Sequence, residues 1–333
     1  MQRIGVAIVH GIEIADPDFA ATPTKLLYEG FREVMGPNGP DPEEALVVKP
    51  IHWAPELEDR QRELFAQVYD ESNEPGVFFD ERVRPTVERL NAGERMQLFP
   101  MMLSIADRTR DDLRQLNWPA ARWLMMHFIG DVIAYDSPYS GTNYRAIHAR
   151  FAAGLAELAD EVGDEAPLCV IAHSLGSVLA SDYFYDQQTR HLWKEVRAAQ
   201  GSSALAKGQT LAWMYTMGSP LALWSLKYPS TSQQLPGDEP KMSKPIEVPV
   251  HQIAQRYPEL NTEWINFYDK DDIIAYPLEG LSEEYANVVD DRDVRVHTFP
   301  FSWTPLTHSF YWADRVVMDP IAQTLATGWQ HLN

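Results

Sequence analysis

Leu168-Cys169-Val170-Ile171-Ala172-His173-Ser174-Leu175-Gly176-Ser177-Val178-Leu179 is the stretch that decides the fold. An apolar run of strand length meets a serine, and a helix-forming run starts at once on the far side. A strand that turns so tightly into a helix places Ser174 at strained backbone angles and lifts its hydroxyl above the sheet. Small residues two before and two after the serine keep such a turn free of clashes, and Ala172 and Gly176 occupy those positions. The pentapeptide alone is weak, since about one chain in four of this length would carry [Gly/Ala]-x-Ser-x-Gly by chance. The flanking strand and helix are what single it out.

Outward from this turn, apolar runs of strand length alternate with amphipathic stretches, the pattern of a mostly parallel central sheet with helices on both faces. The predicted strands are Ile4–Val9, Leu46–His52, Leu168–Ala172, Leu211–Met217, Trp264–Tyr268 and Val294–Phe299. A helix is expected from Asn143 to Val162, because Tyr144, Ile147, Phe151, Leu155, Leu158 and Val162 recur every three or four residues and Thr142 can cap its start. A last helix is expected from Ser309 to Thr327. The chain, 333 residues, reads as one α/β domain, with residues 54–118 inserted in it as either a helical cap or an ordinary peripheral helical layer, and Tyr228 to Pro258 as a long loop.

Composition excludes several classes. With 28 Lys and Arg against 48 Asp and Glu, the net charge is −20. No basic run is present to neutralise a phosphate backbone, so a nucleic-acid partner is not expected. Cys169 is the one cysteine, which rules out an intrachain disulfide. The most lipid-like segment, Trp123 to Tyr135, is broken by His127 and Asp131 and falls short of the roughly 20 residues that a membrane span needs. The first apolar stretch ends at Gly11, too early for a signal peptide. A cytoplasmic protein is expected. No His-Glu-x-x-His, cysteine pair or glycine-rich phosphate loop occurs, and neither a metal nor a cofactor is expected.

A serine hydroxyl is a poor nucleophile until a histidine takes its proton and a carboxylate orients that histidine. Downstream of Ser174 stand His191, His251, His297, His308 and His331. His191 is too near in sequence to reach back, His251 lies in the long loop and His331 is at the C-terminus. His297 falls within a strand pattern. His308 follows the last predicted strand and opens the final helix, the place for a loop histidine. For the acid, the strand Trp264–Tyr268 runs into Asp269-Lys270-Asp271-Asp272. Spacing leaves all three aspartates open, with Asp272 slightly ahead.

The oxyanion formed on attack needs two backbone N–H donors. Leu175, next after the serine, supplies one, and Ile12, in the turn that Gly11 allows after the first strand, is expected to supply the other. His10 and His173 are read as structural, with His173 turned away from Ser174.

Five blocks in order carry a family resemblance: Gly130-Asp131-Val132-Ile133-Ala134-Tyr135; the turn with its trailing Ser177-Val178-Leu179-Ala180-Ser181-Asp182; Met217-Gly218-Ser219-Pro220-Leu221; Asp272-Ile273-Ile274-Ala275-Tyr276-Pro277-Leu278-Glu279; and His308-Ser309-Phe310-Tyr311-Trp312. From Gly130 to Trp312 the chain resembles the DDHD-type intracellular phospholipases and the GPI inositol-deacylase-like branch of the α/β-hydrolases. The resemblance implies an α/β-hydrolase fold and completes a triad of Ser174, Asp272 and His308. Ile273 stands where that family usually has Pro, and Ala172 where it has Gly. The expected activity is a serine carboxylic-ester hydrolase (esterase or lipase type) acting through an acyl-enzyme on apolar or lipid-like esters. A thioesterase, amidase or acyltransferase would use the same triad, and a non-catalytic binding member of the fold is the remaining alternative. A histidine base works only when neutral, so activity is expected to fall in acid.

Overall fold

The computed structural model describes residues 1–11, 18–57, 130–135, 141–189, 192–227, 245–296, 307–308 and 310–333. Its centre is a six-stranded, all-parallel sheet with strands β1 Ile4–Val9, β2 Leu46–Ile51, β3 Leu168–His173, β4 Leu211–Met217, β5 Glu263–Tyr268 and β6 Val289–Asp293. Helices that position the site and cover the sheet include α1 Ala21–Met35, α2 Thr142–Val162, α3 Leu175–Thr189, α4 Lys194–Gln200, α5 His251–Arg256 and α6 Arg315–Leu332.

Strand order is β2-β1-β3-β4-β5-β6. The chain leaves β1 toward β2 on one side and returns on the other side with β3. That reversal is a topological switch point, where parallel sheets open a crevice beyond their carboxyl ends. Gly11 and Ser174 stand just past the ends of the two strands that flank it.

β1, β3 and β4 are buried along their whole length, as their almost wholly apolar sequences demand of strands covered on both faces. Register shows which helix covers which face. An added Cβ on Gly5 would meet Leu158 and Val162 of α2 at 3.3 Å. The next residue, Val6, pairs with Cys169 and through it with Trp213, whose ring lies against Gly328 of α6. Successive side chains point to opposite faces, so α2 and α6 cover opposite sides of the sheet. α2 buries Ile147, Phe151, Leu155, Leu158 and Val162, the stripe its sequence spacing predicts.

β2, β3 and β5 differ by one residue at one end from the sequence reading, and other boundaries differ by more. Thr142 is already helical, and Gly141 holds the cap position without a side-chain capping bond. The last strand is Val289–Asp293, while residues 294–296 have left the sheet and 297–299 lie outside the described residues. β6 is an edge strand, and its Asp290, Asp291, Arg292 and Asp293 give no apolar signal because only one side of it needs a partner. The final helix begins at Arg315, where Asp314 Oδ1 accepts from the Val316 N–H at 2.9 Å, so His308 precedes a short 3₁₀ turn and not the helix itself. Within the expected loop 228–258, residues 251–256 form α5. Of the expected cap, 54–118, only residues 54–57 are described.

Candidate active site

One residue separates β3 from α3, and it is Ser174. Its φ is +53°, the only positive value outside glycine among the described residues. For a side chain with a Cβ this conformation costs about 1–3 kcal/mol. The surroundings hold it in place. The Ser174 N–H donates to Met217 O at 3.0 Å, extending the β3–β4 ladder. Its carbonyl accepts from the Ser177 N–H at 2.9 Å and from Ser177 Oγ–H at 2.6 Å. Ser177 has then used its one proton, so Ser219 must be the donor in the 2.7 Å contact between the two hydroxyls. Ser219 Oγ in turn accepts from the Leu221 N–H at 3.3 Å. A directed chain of hydrogen bonds thus runs from the loop after β4 to the strained serine. Ser177 and Ser219 received no role from the sequence; the i+3 position of Ser177 on the new helix is the signal that could have found it.

The small residues around the turn have steric reasons. A Cβ on Gly176 would lie 2.2 Å from His10 O and 2.8 Å from Val9 O, so only glycine lets α3 start against the end of β1. Gly11 packs as closely, with its would-be Cβ 2.7 Å from Ser174 Cβ. Ala172 is buried and pairs with Val9.

His308 Nε2 lies 2.8 Å from Ser174 Oγ, and its Nδ1 lies 2.8 Å from Asp272 Oδ2. With Nδ1–H donating to the carboxylate, Nε2 is free to accept the serine proton. Asp272 Oδ1 accepts from the Ile274 N–H at 3.0 Å, and Oδ2 also accepts from Tyr311 OH at 3.1 Å. Burial pushes this carboxyl up, but the His308 hydrogen bond, the charge of that ring and the Ile274 N–H outweigh it and hold the group below its ordinary value. Burial and the Asp272 charge drive the Tyr311 phenol well up, so it remains a neutral donor.

Of the three aspartates left open by spacing, Asp272 is the one bonded to His308. Asp269 caps its own loop, accepting from the Asp271 N–H and the Val296 N–H at 2.9 Å each. Its own N–H donates to Tyr311 OH at 2.8 Å.

Leu175 is the first residue of α3, and the first N–H groups of a helix have no partner within it. Its N–H therefore stands beside the serine at the positive end of the helix. Ile12 lies outside the described residues, as do His191 and His297. His10 is fully buried and stacks on Trp53, with ring centroids 5.0 Å apart. Its Nδ1–H donates to Gly11 O at 2.6 Å and its Nε2 accepts from the Trp53 N–H at 3.0 Å, which ties the turn after β1 to the turn after β2. Burial, reinforced by the charge of His52, lowers its pKa to about 3.

His173 departs from the expectation. Its ring is not directed away from the site but lies on His308, with centroids 4.8 Å apart. A hollow of about 460 Å³ lined by Gln187, Arg197, Lys207, Glu247 and His251 sits near the start of β4, at the opposite edge of the sheet from Ser174. Among the described residues, no cluster of three or more His, Cys, Asp or Glu side chains could hold a metal ion, and no helix is long and apolar enough to cross a membrane. No protein family, no curated protein and no solved structure matches this chain.

Proposed function

We propose that this chain is a serine carboxylic-ester hydrolase of the α/β-hydrolase type, working through an acyl-enzyme on Ser174. One observation carries the reading: the unbroken run of hydrogen bonds from Ser174 Oγ through His308 to Asp272, with 2.8 Å at each step, built on a serine held at φ +53°. The family resemblance of the five sequence blocks points the same way.

In this mechanism Ser174 Oγ attacks the ester carbonyl carbon while His308 Nε2 takes its proton. The new charge on His308 is stabilised by Asp272, which stays ionised because its carboxyl is held low. The carbonyl oxygen, now negative, is met by the Leu175 N–H and by the second donor assigned to Ile12. The tetrahedral intermediate collapses, His308 returns the proton to the leaving alkoxide, and the acyl group stays on Ser174. Water then repeats the sequence and releases the acid.

Apolar acyl esters are the substrate class we favour. Ile273 and Tyr276 directly follow Asp272, and Leu223 and Leu226 follow β4 at the same edge of the sheet; all four are exposed. The Tyr276 N–H donates to Ser219 O at 3.3 Å and joins the two loops. Exposed apolar side chains on the loops that follow β4 and β5 suit an acyl chain.

The test is hydrolysis of p-nitrophenyl acyl esters of increasing chain length. Ser174→Ala should lower kcat by about 10⁴-fold or more. Hydrolysis by that variant at near wild-type rate would remove the proposed mechanism.

A further inference from the structure

We propose that His173 is a positioning residue for His308: by donating from Nε2 to the main-chain carbonyl of His308, it sets where that imidazole stands relative to Ser174. The inference rests on reading Ser174, His308 and Asp272 as a triad, and it gives a task to a side chain which that reading does not use.

His173 Nε2 lies 2.6 Å from His308 O. The bond joins residues 135 apart in sequence. It connects the last residue of β3, immediately before the nucleophile, to the turn that carries the base. Within its own turn, the Phe310 N–H donates to Thr307 O at 3.0 Å, and the 3₁₀ turn Tyr311–Ala313 follows. On the strand side, the main chain of His308 is held by His173. The ring of His173 is itself clamped between Tyr311, with centroids 5.8 Å apart, and Trp312, at 5.4 Å. Gly218 closes the remaining side, because a Cβ there would meet His173 Nε2 and His308 Cε1 at 3.2 Å each.

The tautomer follows from the bond. A carbonyl oxygen only accepts, so the His173 proton is on Nε2 and Nδ1 is bare. Nδ1 makes no hydrogen bond and lies 3.3 Å from the Cβ position of Gly11. Burial first, and then the charge of His308, lower the pKa of His173 to about 3, so the ring stays neutral. A neutral neighbour suits His308, which becomes cationic when it takes the serine proton; a charged ring at this distance would oppose that step. A phenylalanine could fill the space, but it has no N–H for the carbonyl.

Two variants of like polarity separate position from bulk. The terminal amide of Gln reaches about as far as the imidazole Nε2, whereas that of Asn stops near the level of Nδ1. We expect His173→Gln to keep kcat within about threefold of wild type, and His173→Asn to lose roughly tenfold to hundredfold with KM little changed, the cost of a misplaced base. A second readout needs no substrate: the low-field proton resonance of His308 Nδ1–H, bonded to Asp272, should persist in the Gln variant and broaden or shift in the Asn variant. Equal kcat and equal low-field resonances in the two variants would overturn the proposal. Failure of the wild type to hydrolyse any ester would count against the hydrolase reading alone, because the resonance still reports on His173.

Discussion

Tyr311 donates its phenolic proton to Asp272 Oδ2, the same oxygen that His308 Nδ1 faces, and accepts the Asp269 N–H on its own oxygen. One buried phenol therefore links the carboxylate of the proposed triad to the end of β5. Tyr311→Phe removes a hydrogen bond to a charged acceptor and leaves the Asp269 N–H unpaired. Hydrogen bonds to charged groups contribute about 1.5–3 kcal/mol, so urea unfolding should show a loss of that size. kcat should fall by less than about tenfold, since His308 and Ile274 still hold Asp272.

The chain from Leu221 through Ser219 and Ser177 to Ser174 should behave as one unit. Ser177→Ala and Ser219→Ala each break it, and the double variant has little more to lose. A double-mutant cycle on unfolding free energy is expected to give a coupling of about 0.5–1.5 kcal/mol. Strict additivity would show that the two hydroxyls act independently.

Gly176→Ala should be among the most damaging small substitutions, because its methyl would meet the main-chain carbonyls of Val9 and His10, which cannot swing aside. Overpacking of this kind costs about 1–3 kcal/mol or more. Gly280→Ala is the control: nothing lies within 4 Å of its Cβ position. It should stay within about 0.5 kcal/mol of wild type in the same denaturation experiment.

Acid should destabilise the fold in a defined window. His10 and His173 are held neutral with pKa values of about 3, against an ordinary value of 6.5. Between those values the unfolded chain binds protons that the folded chain refuses. Stability is therefore complete above about pH 6.5 and falls as pH drops toward 3, by up to about 1.4 kcal/mol per pH unit for each histidine. Asp272, whose carboxyl is held low by His308, adds its own loss below the ordinary carboxylate range. Urea midpoints measured from pH 8 to pH 4 should stay level and then decline, and the decline should be shallower in His173→Gln. A flat profile down to pH 4 would contradict the burial of neutral histidines.

The parts of this fold that could be read in advance are those where one physical demand dominates. β1, β3 and β4 are covered on both faces, so their sequences are almost wholly apolar runs, and the turn at Ser174 shows itself through the small residues beside it. β6 could not be read, because an edge strand with three aspartates carries no such run, whereas the apolar alternation begins at Val294, just past its end, where the described residues 294–296 are not strand. The final helix starts at Arg315, capped by Asp314, because the segment after His308 first makes a short 3₁₀ turn that carries no separate signal in the sequence. The choice among Asp269, Asp271 and Asp272 is a matter of which carboxylate faces His308 in space, and spacing alone left it open. The place of His173 is hidden for a related reason: β-strand alternation says which face a side chain takes, but not that a loop 135 residues away returns its carbonyl to meet it. Residues 58–118 of the expected insertion and the second oxyanion donor at Ile12 fall outside the described residues.

The central claim is that Ser174 is a nucleophile activated by His308. Reaction with a fluorophosphonate probe, followed by mass spectrometry of the peptides, tests it most directly. The adduct is expected on Ser174 alone, and it should be abolished by Ser174→Ala and strongly slowed by His308→Ala. No adduct in the folded wild-type protein, or an adduct on another residue that persists in Ser174→Ala, would contradict the account.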